Sequence, residues 1–190
     1  MKKLAITFIT LFTLLFSASA LAGQSLRGME PGSNAIGQSL EEWTETYIRW
    51  FEVWLLDGAD PTDLGEEKNV TFLPIVGESP FSVEVKPGTA LLLPMALYIG
   101  FEGDPVLEPS DFWAHVTLDG HLISQPNADY YVGPAPLDPP FWGVGLWFQG
   151  LTVLIEPLPA GEHTLVLDAS VQSDAFHNEW NITVVNPNKK

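Results

Sequence analysis

Phe112-Trp113-Ala114-His115-Val116-Thr117-Leu118-Asp119-Gly120 is the stretch that decides the fold class of this chain. Phe112, Ala114, Val116 and Leu118 alternate with Trp113, His115 and Thr117, the period-two pattern of a strand with one buried face. It ends on Asp119-Gly120, a strong hairpin signal, because a tight hairpin turn needs positive φ and these residues tolerate it.

The same texture extends in both directions. Phe81, Val83 and Val85 alternate with Ser82, Glu84 and Lys86. Leu165, Leu167, Ala169 and Val171 alternate with Thr164, Val166, Asp168 and Ser170, and Trp180, Ile182 and Val184 alternate with Asn181 and Thr183. Val70 to Val76 and Thr89 to Ile99 are more continuously apolar, and Pro74 and Pro94 inside them imply edges, bulges or bends. Lys86-Pro87-Gly88 and Leu158-Pro159-Ala160-Gly161 supply further turns. The stretch from Gly133 to Pro140, with Pro134, Pro136, Pro139 and Pro140, reads as a stiff surface loop. Many short strands with regular turns predict a mainly β chain, an antiparallel two-sheet sandwich of jelly-roll-like type.

One convincing helix precedes the strands, at about residues 39–56. Ser39 can cap it, with Glu42 three residues later completing a capping box, and Gly58 lies just past its end. Leu40, Trp43, Tyr47, Trp50, Phe51 and Trp54 recur at helical spacing and form one aromatic face, while Glu45 and Arg49 are spaced for an i,i+4 pair. Such a face is expected to pack on the body of its own domain, against one sheet or across one end. Trp113, pointing away from the inner face of its strand, is its expected landing place.

Residues 1–22 read as an export signal: basic Lys2 and Lys3, an apolar run from Leu4 to Phe16, then small residues ending at Ala22. The apolar run is shorter than the roughly 20 residues a membrane helix needs. Gln24 stands where a lipoprotein would carry Cys, so no membrane anchor is expected after cleavage. Removing residues 1–22 from the 190 leaves 168, residues 23–190, the size of a single domain. The destination expected is the periplasm or the cell exterior. With no Cys, disulfides cannot staple the fold, so a large core must hold it; seven Trp and eleven Phe are available to build one.

The formal net charge of −16 becomes −18 when Lys2 and Lys3 are removed, which argues against nucleic acid or an anionic membrane as partner. A carbohydrate or protein ligand stays open. Two regions qualify as binding sites. Tyr130, Tyr131, Phe141, Trp142 and Trp147 lie in and around the Pro-rich stretch, where exposed rings could stack on sugars, though Trp142 and Trp147 could equally be strand residues of the core. Asp57, Asp60, Asp63 and Glu66 follow the helix in an acidic loop that offers oxygen ligands to calcium, without the spacing of an EF-hand, and could equally be a solvated acidic loop. No other cofactor is indicated. His115, His121, His163 and His177 are scattered, and no nucleophile elbow or phosphate loop occurs.

Several segments taken in order carry a family resemblance. They are Trp43-Thr44-Glu45-Thr46-Tyr47-Ile48-Arg49-Trp50, Val85-Lys86-Pro87-Gly88, Val116-Thr117-Leu118-Asp119-Gly120, Pro157 to Leu165, and Trp180-Asn181-Ile182-Thr183-Val184-Val185. With these the chain resembles a family of uncharacterised bacterial exported proteins. The resemblance implies an exported single domain of sandwich architecture and brings no activity or catalytic residue with it.

Three readings of function follow. The first is a non-enzymatic binding or interaction module presenting the loop aromatics. The second is a hydrolase or lyase using a carboxylate pair or His in a cleft between the helix and the sheet, which requires His115 or His177 and a carboxylate to converge in a concave site there. The third is a calcium-stabilised structural or surface protein.

Overall fold

A computed structural model describes residues 35–58, 64–75, 80–124, 128–138 and 144–185. The helix α1 spans Leu40–Asp57, after a short 3-10 turn at Ala35–Gly37. The expected capping box is present: Ser39 N–H donates to Glu42 Oε2 at 2.7 Å and Glu42 N–H donates to Ser39 Oγ at 3.2 Å. Arg49 and Glu45 form their i,i+4 pair at 3.0 Å.

Among the described residues ten strands follow: β1 Gly65–Glu67, β2 Val70–Phe72, β3 Phe81–Val85, β4 Ala90–Phe101, β5 Phe112–Leu118, β6 His121–Ser124, β7 Tyr131–Pro136, β8 Leu146–Ile155, β9 Gly161–Val171 and β10 Asp174–Val184. They build two five-stranded sheets, β1-β2-β4-β8-β7 (sheet A) and β3-β10-β9-β5-β6 (sheet B). The two-sheet sandwich with one helix packed on it is the architecture expected from the periodicities. The strand directions are more varied than a purely antiparallel reading, since β2 pairs with β4 and β3 with β10 in parallel. Nonlocal pairings of this kind leave no mark in the period of either strand.

Between the sheets lies the main core, where Leu91, Leu93 and Met95 of β4 and Val153 of β8 meet Leu165, Leu167, Trp180 and Ile182 of sheet B. Trp180 is fully buried and its ring is 6.4 Å from that of Phe81. Pro94 sits where its presence implied an irregularity: the β4–β8 register shifts between Pro94 and Ala96.

A second core joins α1 to the outer face of sheet A, with Trp43, Tyr47 and Ile48 buried against Phe72, Leu92 and Leu154. The Trp43 and Phe72 rings meet edge to face at 6.3 Å, and the Thr44 hydroxyl is 3.0 Å from that of Thr152 on β8. The molecule is therefore layered as helix, sheet A, sheet B. The helix does not land on Trp113, which belongs to sheet B and is 46% exposed. The face that attracts it is the apolar outer surface of sheet A.

The stretch from Gly133 to Pro136 is not a loop but part of the edge strand β7, with a register shift between Val132 and Ala135. Pro134 and Pro136 are tolerated because an edge strand needs hydrogen bonds along one side only. Among the described residues, no helix is long and apolar enough to cross a membrane.

Candidate functional site

With α1 on sheet A, no element among the described residues covers the outer face of sheet B. Alternation along β5, β9 and β10 puts one set of side chains on that face, and the register aligns them. Trp113 is opposite Ser170, which is opposite Ala175; His115 is opposite Asp168, which is opposite His177. Three strands thus carry a row with one aromatic ring, Trp113, beside Ser170 and Ala175, and next to it a polar row of His115, Asp168 and His177.

The Trp113 and His115 rings are stacked, 6.4 Å apart between centroids with 8° between planes. They sit two residues apart on one strand, so their side chains emerge on the same face. His177 Nδ1 lies 2.7 Å from Asp168 Oδ1, and an ionised carboxylate can only accept, so His177 donates through Nδ1. Trp113, Asp168, Ala175, Phe176 and His177 line a shallow, open depression of about 490 Å³. Its lining combines apolar residues with one imidazole and one carboxylate, suited to stacking a flat ligand and hydrogen-bonding its edge.

The charge of this surface is one-sided. No Lys or Arg occurs between Lys86 and Lys189, so histidine is the only side chain of β5, β6, β9 and β10 able to carry positive charge. An anionic ligand would meet Asp168 without a permanent cation to balance it.

The residues expected to bind from sequence are placed elsewhere. Tyr130 and Tyr131 are partly buried against the main core, the latter with its ring 5.7 Å from Phe112. Burial, first, and then neighbouring acids hold both phenols above their ordinary pKa: Asp129 beside Tyr130, and Glu108 and Asp111 beside Tyr131. Trp147 lies over Gly100 on β4, donates its indole N–H to Phe101 O at 3.0 Å, and tilts against Tyr98 at 5.5 Å. Tyr131 pairs with Leu151 and Pro136 with Trp147, so the two ends lie four positions apart on β8, roughly 13 Å along the strand. Tyr131 and Trp147 therefore do not form one patch. Trp142 lies outside the described residues.

Of the candidate calcium ligands, Asp57 is the last residue of α1, and Asp60 and Asp63 lie outside the described residues. Glu66, on β1, forms a salt bridge with Lys86. Among the described residues, no group of three or more His, Asp or Glu is placed to hold a metal ion.

What sequence reasoning missed is that His115 and His177, 62 positions apart, flank the same aspartate. The outward position of Trp113, His115 and Asp168 was readable from alternation. Their alignment depends on cross-strand register, which is not. His163, one of the histidines scattered in the sequence, is buried and has both ring nitrogens engaged.

No protein-family model and no curated protein matches this chain. Among solved structures, the solution structure of Amebosin is similar over 54% of this chain and 88% of its own, at 14% identity and a TM-score of 0.23.

Proposed function

We propose that the chain is an exported, non-enzymatic binding module whose contact surface is the uncovered face of sheet B, and that its ligand is a neutral carbohydrate. The single observation that carries this reading is the half-exposed, stacked Trp113–His115 pair beside the Asp168–His177 hydrogen bond. A sugar ring offers an apolar C–H face to an indole and hydroxyls to a carboxylate and an imidazole, so both rows of the site are used. The absence of Lys and Arg from residue 87 to 188 favours a neutral ligand over an anionic one.

Titration with a panel of neutral, acidic and basic oligosaccharides, followed by Trp fluorescence, tests this. Saturable binding of a neutral chain that Trp113→Ala weakens about ten-fold or more is the expected result. No response to any saccharide, or a response that Trp113→Ala leaves intact, would overturn it, and capture by a protein ligand through the same face would reassign the partner.

The Asp168–His177 pair also favours a second reading, hydrolysis or elimination with His177 as base. Its depression is open to water, which weakens charge-based catalysis. Turnover of a bound saccharide that His177→Ala abolishes, with binding retained, would establish it over the first.

A further inference from the structure

His163 lies at the start of β9, 9% exposed, away from the face described above. Its Nδ1 is 2.8 Å from Asp119 Oδ2 and its Nε2 is 2.9 Å from the carbonyl oxygen of Pro159. A carbonyl can only accept, and so can an ionised carboxylate. Both ring nitrogens must therefore donate, which a neutral imidazole cannot do, since it carries one N–H and one lone pair.

Asp119 is fixed from the other side as well. It occupies the hairpin turn at φ 52, its Oδ1 accepts from Thr164 N–H at 2.9 Å, and its own N–H donates to Thr164 O at 2.8 Å. We propose that His163 is held as a doubly protonated imidazolium, making Asp119–His163–Pro159 a pH-sensitive clasp that joins the β5–β6 hairpin to the β8–β9 connection.

The other titratable groups around the clasp come from each adjoining segment. His121 opens β6 and its Nδ1 is 3.0 Å from Asp119 O. Glu162 on β9 accepts from the Thr183 hydroxyl of β10 at 2.8 Å, and Glu156, the charged residue of the β8–β9 connection, is exposed. No Lys or Arg occurs in these segments, so a protonated histidine is the cation available to Asp119.

Burial acts to lower the His163 pKa, but it is outweighed by the bonds to Asp119 and Pro159 and the charges of Asp119 and Glu162, and the net direction is upward. For Asp119, burial acts upward and is outweighed by the bonds from His163 and Thr164 and the charges of His163 and His121, so the net direction is downward. The signs follow by linkage. The His163 contribution is complete below the unfolded imidazole pKa of about 6.5 and is lost as pH rises through the raised folded value. The Asp119 contribution is present above the unfolded carboxyl pKa of about 3.9 and is lost as pH falls through the depressed one. The clasp is closed in mildly acidic to neutral solution and weakens in alkali.

Asp119→Asn separates this from ordinary packing. Asparagine tolerates the same turn, its oxygen can keep the Thr164 bond, and its amide can donate to Nδ1 of a neutral His163 whose Nε2–H still serves Pro159. We expect the Tm of the unmodified protein to fall by about 2–4 °C between pH 6 and pH 9 beyond any change seen in Asp119→Asn. Imidazole nitrogen NMR of the unmodified protein should show two N–H nitrogens on His163 at pH 6.5. Parallel Tm profiles for the two proteins, or one bare His163 nitrogen at pH 6.5, would overturn the proposal. The NMR measurement decides alone if Asp119→Asn does not fold.

Discussion

Gly150 shows how little room some positions leave. At φ 152, a Cβ built there would lie 2.0 Å from the carbonyl oxygen of Ala96, on the neighbouring strand where β4 shifts register. Backbone cannot rotate away as a side chain can, so Gly150→Ala is expected to cost about 1–3 kcal/mol or more, read from denaturant unfolding. Gly100 is crowded differently. Its Cβ would meet the Trp147 ring at 2.4 Å, so the Trp147 indole must move and strain its bond to Phe101 O. Gly100→Ala should therefore be destabilising, and Trp147→Ala should relieve much of that loss in the double variant. Additive losses would show that the contact does not couple them. These constraints explain why Trp147, attractive as a binding residue from its type and its Pro-rich surroundings, is occupied in packing.

Strand by strand, legibility follows how many faces are buried. β3, β5, β9 and β10 each bury one face, so their side chains alternate and their sequences announce strands. β4 and β8 are buried on both faces over most of their length, by the other sheet and by α1, and lack the alternation of the other long strands: β4 is almost wholly apolar, and β8 is apolar apart from the buried Gln149 and Thr152. That contrast marks the sheet the helix covers, a signal carried by Ala90–Met95 and Leu151–Ile155 rather than by Trp113. The pairing of His115 with Asp168 and of Asp168 with His177 carries no comparable local signal, because register is set by packing across strands. On the helix, Trp43 is fully buried against Phe72 of sheet A, beside Tyr47 and Ile48. Trp43→Ala is expected to cost about 3–5 kcal/mol by opening a cavity there. At the Thr44–Thr152 contact, Thr44 also bonds Leu40 O at 2.7 Å, so its single proton is used and Thr152 donates across the interface. Thr152→Val should cost about 1 kcal/mol, and replacing both threonines by valine should cost less than the two single losses together.

As a whole, the layering gives the two outer sheet faces opposite requirements. Sheet A presents Val70, Phe72, Leu92, Phe148 and Leu154 beneath α1, an apolar surface that water cannot cover cheaply. Sheet B presents Glu84, Thr117, Thr164, Asp168 and Glu179, interrupted by Trp113 and Leu122, and is compatible with solvent. With no disulfide to preserve the sandwich, the helix is then a structural layer rather than an appendage. A chain beginning at residue 64 should bind a hydrophobic dye, associate in size-exclusion chromatography and lose its cooperative transition. Trp113→Ser in the full chain should remain monodisperse with Tm unchanged to within about 2 °C, because it removes a half-exposed ring from a polar surface. A monodisperse chain from residue 64 with the Tm of the full protein would mean that sheet A does not depend on α1. A large loss of Tm in Trp113→Ser would mean that the Trp113–His115 stack holds the fold together rather than standing ready for a ligand. Measured together, the two variants separate the aromatic residues that build this molecule from those it leaves available.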